Sequence, residues 1–101
     1  MAITKSLSDD GKTLSIAVSG RFDFAAHQEF RDAYERAALK PSRYVVDLHE
    51  AAYIDSSALG MLLLLRDYAG GDSADIRIVR CNPDVRKVLG ISNFGQLFVI
   101  E

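Results

Sequence analysis

A chain of 101 residues with 49% hydrophobic and 26% charged content has the size and balance of one compact domain with one modest core, so a single domain over residues 1–101 is expected. The net charge of -2, with acids and bases interleaved, gives no basic stripe and argues against nucleic acid as a partner. Cys81 is the only cysteine, which excludes an intrachain disulfide and a multi-cysteine metal knuckle and suits a reducing cytoplasm.

In chain order, Ile3, Lys5 and Leu7 alternate, as do Leu14, Ile16 and Val18 after Ser8-Asp9-Asp10-Gly11-Lys12. This pattern predicts two half-buried strands joined by a hairpin turn. Gly20 is read as the end of the second strand. From about Phe24 the apolar positions become Ala26, Phe30, Ala33, Tyr34 and Ala37, the spacing of one helix face, with Asp32 and Arg36 on the polar side. Lys40-Pro41-Ser42 breaks that helix, and Tyr44-Val45-Val46-Asp47-Leu48 reads as a central strand covered on both faces. A second helix is expected from about Ser57 to Ala69, stopping at Gly70-Gly71. Ile76, Ile78 and Val79 form the next strand. Asn82-Pro83 opens a third helix whose apolar edge is Val85, Val88 and Leu89, ending before Gly90. Ser92 to Leu97 suggests a short turn, and Phe98-Val99-Ile100 an optional last strand. The order β-β-α-β-α-β-α, with or without that terminal strand, implies an α/β fold with a mixed β-sheet and helices packed on it. Residues 1–12 lack the apolar core of a signal peptide. The longest apolar run, residues 58–65, is far short of the roughly 20 residues of a membrane span, so no membrane insertion is expected.

The informative stretch is Ile54-Asp55-Ser56-Ser57-Ala58-Leu59-Gly60, where a buried strand hands over to an apolar helix. Ser and Asp are favoured at helix starts because their oxygens accept hydrogen bonds from free N–H groups. One serine serving as the cap would leave the other hydroxyl free near the positive end of the helix dipole, where a phosphate is tolerated. A cap with no other duty is the competing reading. The helix itself, with Leu59, Met61, Leu62, Leu63, Leu64 and Leu65, is apolar almost all round, more than one face against a sheet requires. Met61, one turn beyond Ser57 and flexible, is the expected exposed contact with a partner protein.

Catalysis is disfavoured. The Gly-x-Ser-x-Gly elbow of serine hydrolases is absent, since Asp55 and Leu59 stand where its glycines would be, and His27 and His49 are the only imidazole bases. His49 is expected just past the third strand. Two histidines cannot supply the usual zinc set, so a metal site from Asp47, His49, Glu50 and Asp55 is weaker still. Gly-rich nucleotide loops are absent, and no cofactor is expected. Cys81 reads as a small core residue.

Val45-Val46-Asp47-Leu48 followed by Tyr53-Ile54-Asp55-Ser56-Ser57-Ala58-Leu59-Gly60, and preceded by Gly20-Arg21-Phe22-Asp23, resembles the STAS domains of bacterial anti-sigma factor antagonists over nearly the whole chain. The resemblance implies that Ser57 is a phosphoacceptor for a partner kinase, that Asp55 and Ser56 flank it, and that Ala58, Leu59 and Gly60 complete the motif. Many relatives have glycine at the Ala58 position. Asp23 matches an acidic position bordering the serine surface, though a plain N-terminal cap is an equal reading. The likeness is strongest to stand-alone antagonists of gamma-proteobacteria acting in motility and biofilm control with a response regulator that carries kinase and phosphatase functions. This rests on Gly20-Arg21-Phe22-Asp23-Phe24 and on residues 62–67. It implies a cytoplasmic, non-enzymatic module that binds an anti-sigma factor when Ser57 is unphosphorylated and releases it or changes partner when phosphorylated. Two alternatives remain: a cytoplasmic STAS subunit of a lipid-transport ABC system, and an esterase-like enzyme using Ser57.

Overall fold

The structure, a computed structural model, describes residues 2–36 and 40–101. Two antiparallel strands open the chain, β1 (Ala2–Leu7) and β2 (Thr13–Phe22), with Leu7 opposite Leu14. The turn between them closes on side chains: Ser8 Oγ donates to Asp10 Oδ1 at 2.6 Å, and Gly11 takes a left-handed φ of 74° that a larger residue adopts with strain. A 3₁₀ turn, Phe24–Ala26, leads into α1 (His27–Glu35). Then follow β3 (Arg43–Ile54), α2 (Ser56–Tyr68), a 3₁₀ turn at Gly71–Ser73, β4 (Ile76–Val79), α3 (Pro83–Ile91), a 3₁₀ turn at Phe94–Gln96 and the terminal strand β5 (Val99–Ile100). The sheet order is β1-β2-β3-β4-β5, with β2 to β5 parallel, so each helix connects neighbouring parallel strands. The mixed sheet expected from the sequence is present, last strand included.

Four expectations change. Gly20 does not end β2; it adopts φ 78° beside a register shift, and the strand continues to Phe22 opposite Ile54. The third strand runs on past Leu48 to Ile54, so His49 lies within it rather than after it. The third helix passes through Gly90 to Ile91, and the chain leaves by Asn93 at φ 60°. Ala37, placed by its spacing on the apolar face of α1, lies outside the described residues.

The fourth change is the largest. The sheet is sealed on one face alone: Leu14, Tyr44 and Ile76 pair across the strands in register, as do Ile16, Val46 and Ile78, and all of these are buried together with Val18 and Leu48. They join the buried residues of the helices, such as Phe30, Leu62, Leu65 and Leu89, in one core. Val45 and Asp47, the alternate positions of β3, are only half-buried. The other face carries small and hydroxyl side chains, Thr4, Ser6, Ser15, Ala17 and Ser19, together with charges held in ion pairs. Arg80 pairs with Asp47, Arg43 with Asp75 at 3.0 Å, and Arg77 with Glu101 at 3.1 Å. Such a face remains hydrated with these charges paired, which is how this largely parallel sheet dispenses with a second helical layer.

Candidate functional site at the start of α2

The parallel strands β2, β3 and β4 all deliver the chain to one end of the sheet, where the next helical element begins with a side-chain cap. Asp23 Oδ1 accepts from the Ala25 N–H at 3.1 Å, Asp55 Oδ1 from the Ala58 N–H at 3.0 Å, and Asn82 Oδ1 from the Val85 N–H at 2.8 Å. Each cap residue has extended backbone, as a residue just outside a helix should. Asn82 also donates to the Ala51 carbonyl at 3.0 Å, tying the start of α3 to β3.

The cap of α2 is therefore Asp55, not a serine. Ser56 and Ser57 occupy the first turn, Ser56 exposed and Ser57 half-buried, and among the described residues neither hydroxyl is engaged in a side-chain hydrogen bond. Both are left available, whereas sequence reasoning assigned one of them to the cap. Asp23 caps the turn after β2 and also meets Arg21, whose Nε lies 3.4 Å from its second oxygen. Arg21 pairs in register with Tyr53 on β3 and sets its guanidinium 4.2 Å from the centre of that ring. The Arg21-Phe22-Asp23-Phe24 segment and the Tyr53-to-Ser57 segment thus leave the sheet side by side.

Along α2, Ala58, Met61, Leu62 and Leu65 point into the core. Met61 is 3% exposed, so the expected Met61 contact is corrected: it shares the sheet-facing stripe with Ala58. Ala58 is fully buried as well, and its part in the motif is to donate its N–H to Asp55. Leu59 and Gly60 are half-buried, and the apolar side chains turned outward are Leu63, Leu64 and Tyr68, at 39%, 48% and 41% exposure. The signal for Leu63 is present in the sequence: Ser56, Gly60, Leu63 and Asp67 fall on one stripe whose other members are small or charged. A Cβ placed on Gly60 meets nothing within 4 Å, so no packing inside the chain requires glycine there.

Of the imidazoles, His27 stacks on Phe24 with ring centres 5.5 Å apart, and His49 lies where β2 and β3 slip register, its backbone N–H donating to Asp47 Oδ1 at 2.9 Å. Neither bonds to Ser57 among the described residues. Burial works to raise the Asp47 carboxyl, but the hydrogen bond from Arg80 and that from the His49 N–H hold it below the usual carboxylate range. A shallow cleft on the open sheet face joins Asp47, His49, Glu50 and Arg80, and Asp55 is not among its lining residues. Among the described residues no group of three or more His, Cys, Asp or Glu is arranged to hold a metal, and no helix is long and apolar enough to cross a membrane. Cys81 is half-buried against the core, its thiol pushed up by burial.

Comparison with known proteins places this geometry. A "STAS-domain containing protein" of Pseudomonas aeruginosa strain UCBPP-PA14 is 66% identical over 101 residues, covering 100% of each chain. The unphosphorylated anti-sigma factor antagonist SpoIIAA has the same fold, with a TM-score of 0.79 at 20% identity, over 99% of this chain and 88% of that one. Phosphorylated SpoIIAA of Bacillus matches with a TM-score of 0.68 at 17% identity, over 99% and 91%. The STAS domain of an anti-sigma factor antagonist from Rhodobacter sphaeroides is 31% identical over 78% of this chain and 85% of that one, with a TM-score of 0.57. The family model described as "Mlab, STAS domain" matches residues 6–100, and the chain belongs to the STAS-domain family.

Proposed function

We propose that the chain is an anti-sigma factor antagonist whose docking is switched by phosphorylation of Ser57. The observation that carries this reading is the division of labour at the start of α2: Asp55 holds the cap, and the half-buried Ser57 hydroxyl is spared. A phosphate there adds about -1.5 to -2 charges without displacing a cap, and the helix N-terminus accommodates it. Leu63 and Leu64 extend the site into an apolar surface fit for a protein partner. Unphosphorylated, the module binds the anti-sigma factor and frees the sigma factor. Phosphorylated, it releases that partner or takes another.

The switch is electrostatic. A partner carboxylate within roughly 6 Å of the phosphate adds about 1–3 kcal/mol of repulsion per unit charge, and about 3 kcal/mol weakens binding more than a hundredfold. SpoIIAA, solved in both phosphorylated and unphosphorylated forms, supports a fold that tolerates the modification. A serine kinase and a phosphatase, carried by one response regulator in the motility and biofilm setting, complete the cycle in the cytoplasm. The module binds rather than catalyses.

The experiment is a pull-down with wild-type, Ser57→Ala and Ser57→Asp proteins, with intact-mass measurement of the phosphorylated fraction. Ser57→Ala should retain the anti-sigma factor and resist the kinase, while Ser57→Asp should weaken binding in part. Phosphopeptide mapping to another residue would end the assignment. Stoichiometric co-purification with a lipid-transport ATPase, indifferent to Ser57, would replace it with a permanent transporter subunit.

A further inference from the structure

We infer that Arg21 and Phe24, braced by Tyr53, form a recognition rim beside Ser57 for a partner surface that combines an apolar pocket with a carboxylate. This deepens the proposed docking function and rests on it.

Phe24 has no core duty. The residue is 71% exposed, yet the turn that carries it is fixed at both ends: Asp23 caps it, the Ala26 N–H donates to the Asp23 carbonyl at 3.0 Å, and Ala26 is fully buried. The ring stacks on His27 at an interplanar angle of 19°. A large apolar group held in water by a rigid turn loses little conformational freedom when a pocket covers it, the property of an interface anchor.

Arg21 supplies the charge. Its side chain is 66% exposed and its flat guanidinium lies over Tyr53, itself 41% exposed. Only Nε approaches Asp23, and at 3.4 Å it does so loosely, so among the described residues the terminal N–H groups have no side-chain acceptor. That fork suits a carboxylate. Because Phe22 pairs with Ile54 in register, the rim leaves the sheet one strand away from the segment that becomes Ser57. Complementary charge then gives one account of both states: the carboxylate that Arg21 attracts is the group that a phosphate on Ser57 repels.

The test is calorimetric titration of the protein with each purified anti-sigma factor of its source organism, using wild type, Phe24→Ala, Arg21→Gln, Arg21→Glu and Ser57→Asp. Melting temperatures are measured alongside, and are expected to stay at the wild-type value because both side chains are exposed. Phe24→Ala should weaken binding about tenfold or more. Arg21→Gln should weaken it less, with a flatter salt dependence, and Arg21→Glu most of all. Combining Phe24→Ala with Ser57→Asp should preserve the fold-loss that Ser57→Asp causes alone, since anchor and switch are separate. If wild type binds and the Phe24 and Arg21 variants bind equally well, the rim is wrong and the docking function stands. Tighter binding by Arg21→Glu would also overturn it, by showing that the partner surface is basic. If no anti-sigma factor binds wild type, both fall.

Discussion

At Asp55 and Ser57 two residues separate holding the fold from changing its behaviour. Asp55 satisfies an N–H that would otherwise be unpaired. Asp55→Ala should therefore cost about 1 kcal/mol in a chemical-denaturation measurement, while Ser56→Ala and Ser57→Ala should stay within about 0.5 kcal/mol of wild type. An equal loss from Ser57→Ala would show that the serine shares the capping. The motif was readable as a site from its spelling, but the division of roles within it was not. Asp and Ser both accept from backbone N–H groups, and only the extended backbone at position 55 decides which residue stands outside the helix. Met61 falls inward for a related reason: in a run of leucines several stripes are apolar, and only packing against the sheet selects the one that Ala58, Met61, Leu62 and Leu65 share.

Within α2, inward and outward residues should respond in opposite ways. Leu62 is fully buried, and Leu62→Ala should cost about 2–5 kcal/mol, whereas Leu64→Ala at 48% exposure should leave stability nearly unchanged and weaken partner binding. Gly60 gives the sharper test. A glycine inside a helix is worth roughly 0.5–1 kcal/mol less than alanine, and an added methyl here meets open space. Gly60→Ala should raise the melting temperature and still weaken docking, because the methyl obstructs close approach to the helix. A variant that gains stability and binds as before would remove Gly60 from the interface. Among the elements, the alternation of β2 and the helical spacing of α1 were legible. The reach of β3 was not, since residues 49–53 carry His, Glu and Ala in place of a β-branched run, and the strand persists there through its pairing with β2. Val45 and Val46 look alike in sequence. Only their neighbours across the sheet tell the half-buried position from the sealed one.

The molecule as a whole has two unlike sides, and acid should reveal how they are joined. The Arg43 hydrogen bond and charge, with help from Arg77, hold the Asp75 carboxyl below its usual range, as Arg80 and the His49 N–H do for Asp47 against the effect of burial. Lowered folded values mean that the native state binds fewer protons than the unfolded chain, whose carboxyls titrate near about 3.9. The stability these groups contribute is thus present above that value and lost as pH falls through the lower folded ones. Thermal melts should fall steeply below about pH 4, and Asp47→Asn and Asp75→Asn should each flatten that acid limb. Salt should weaken the Asp75 contribution more, because its carboxylate is the more exposed of the two. A wild-type slope in both variants would show that the pairs tie β3 to β4 in geometry only.

The bare side of the sheet has a practical corollary. Ser6 sits there on the edge strand, exposed and opposite Ser15, with every helix on the other side. A dye or surface linker coupled to Ser6→Cys would face away from α2, while Cys81, the one native thiol, is half-buried and reluctant to ionise. The molecule can therefore be tethered by its wet side and watched at work from behind.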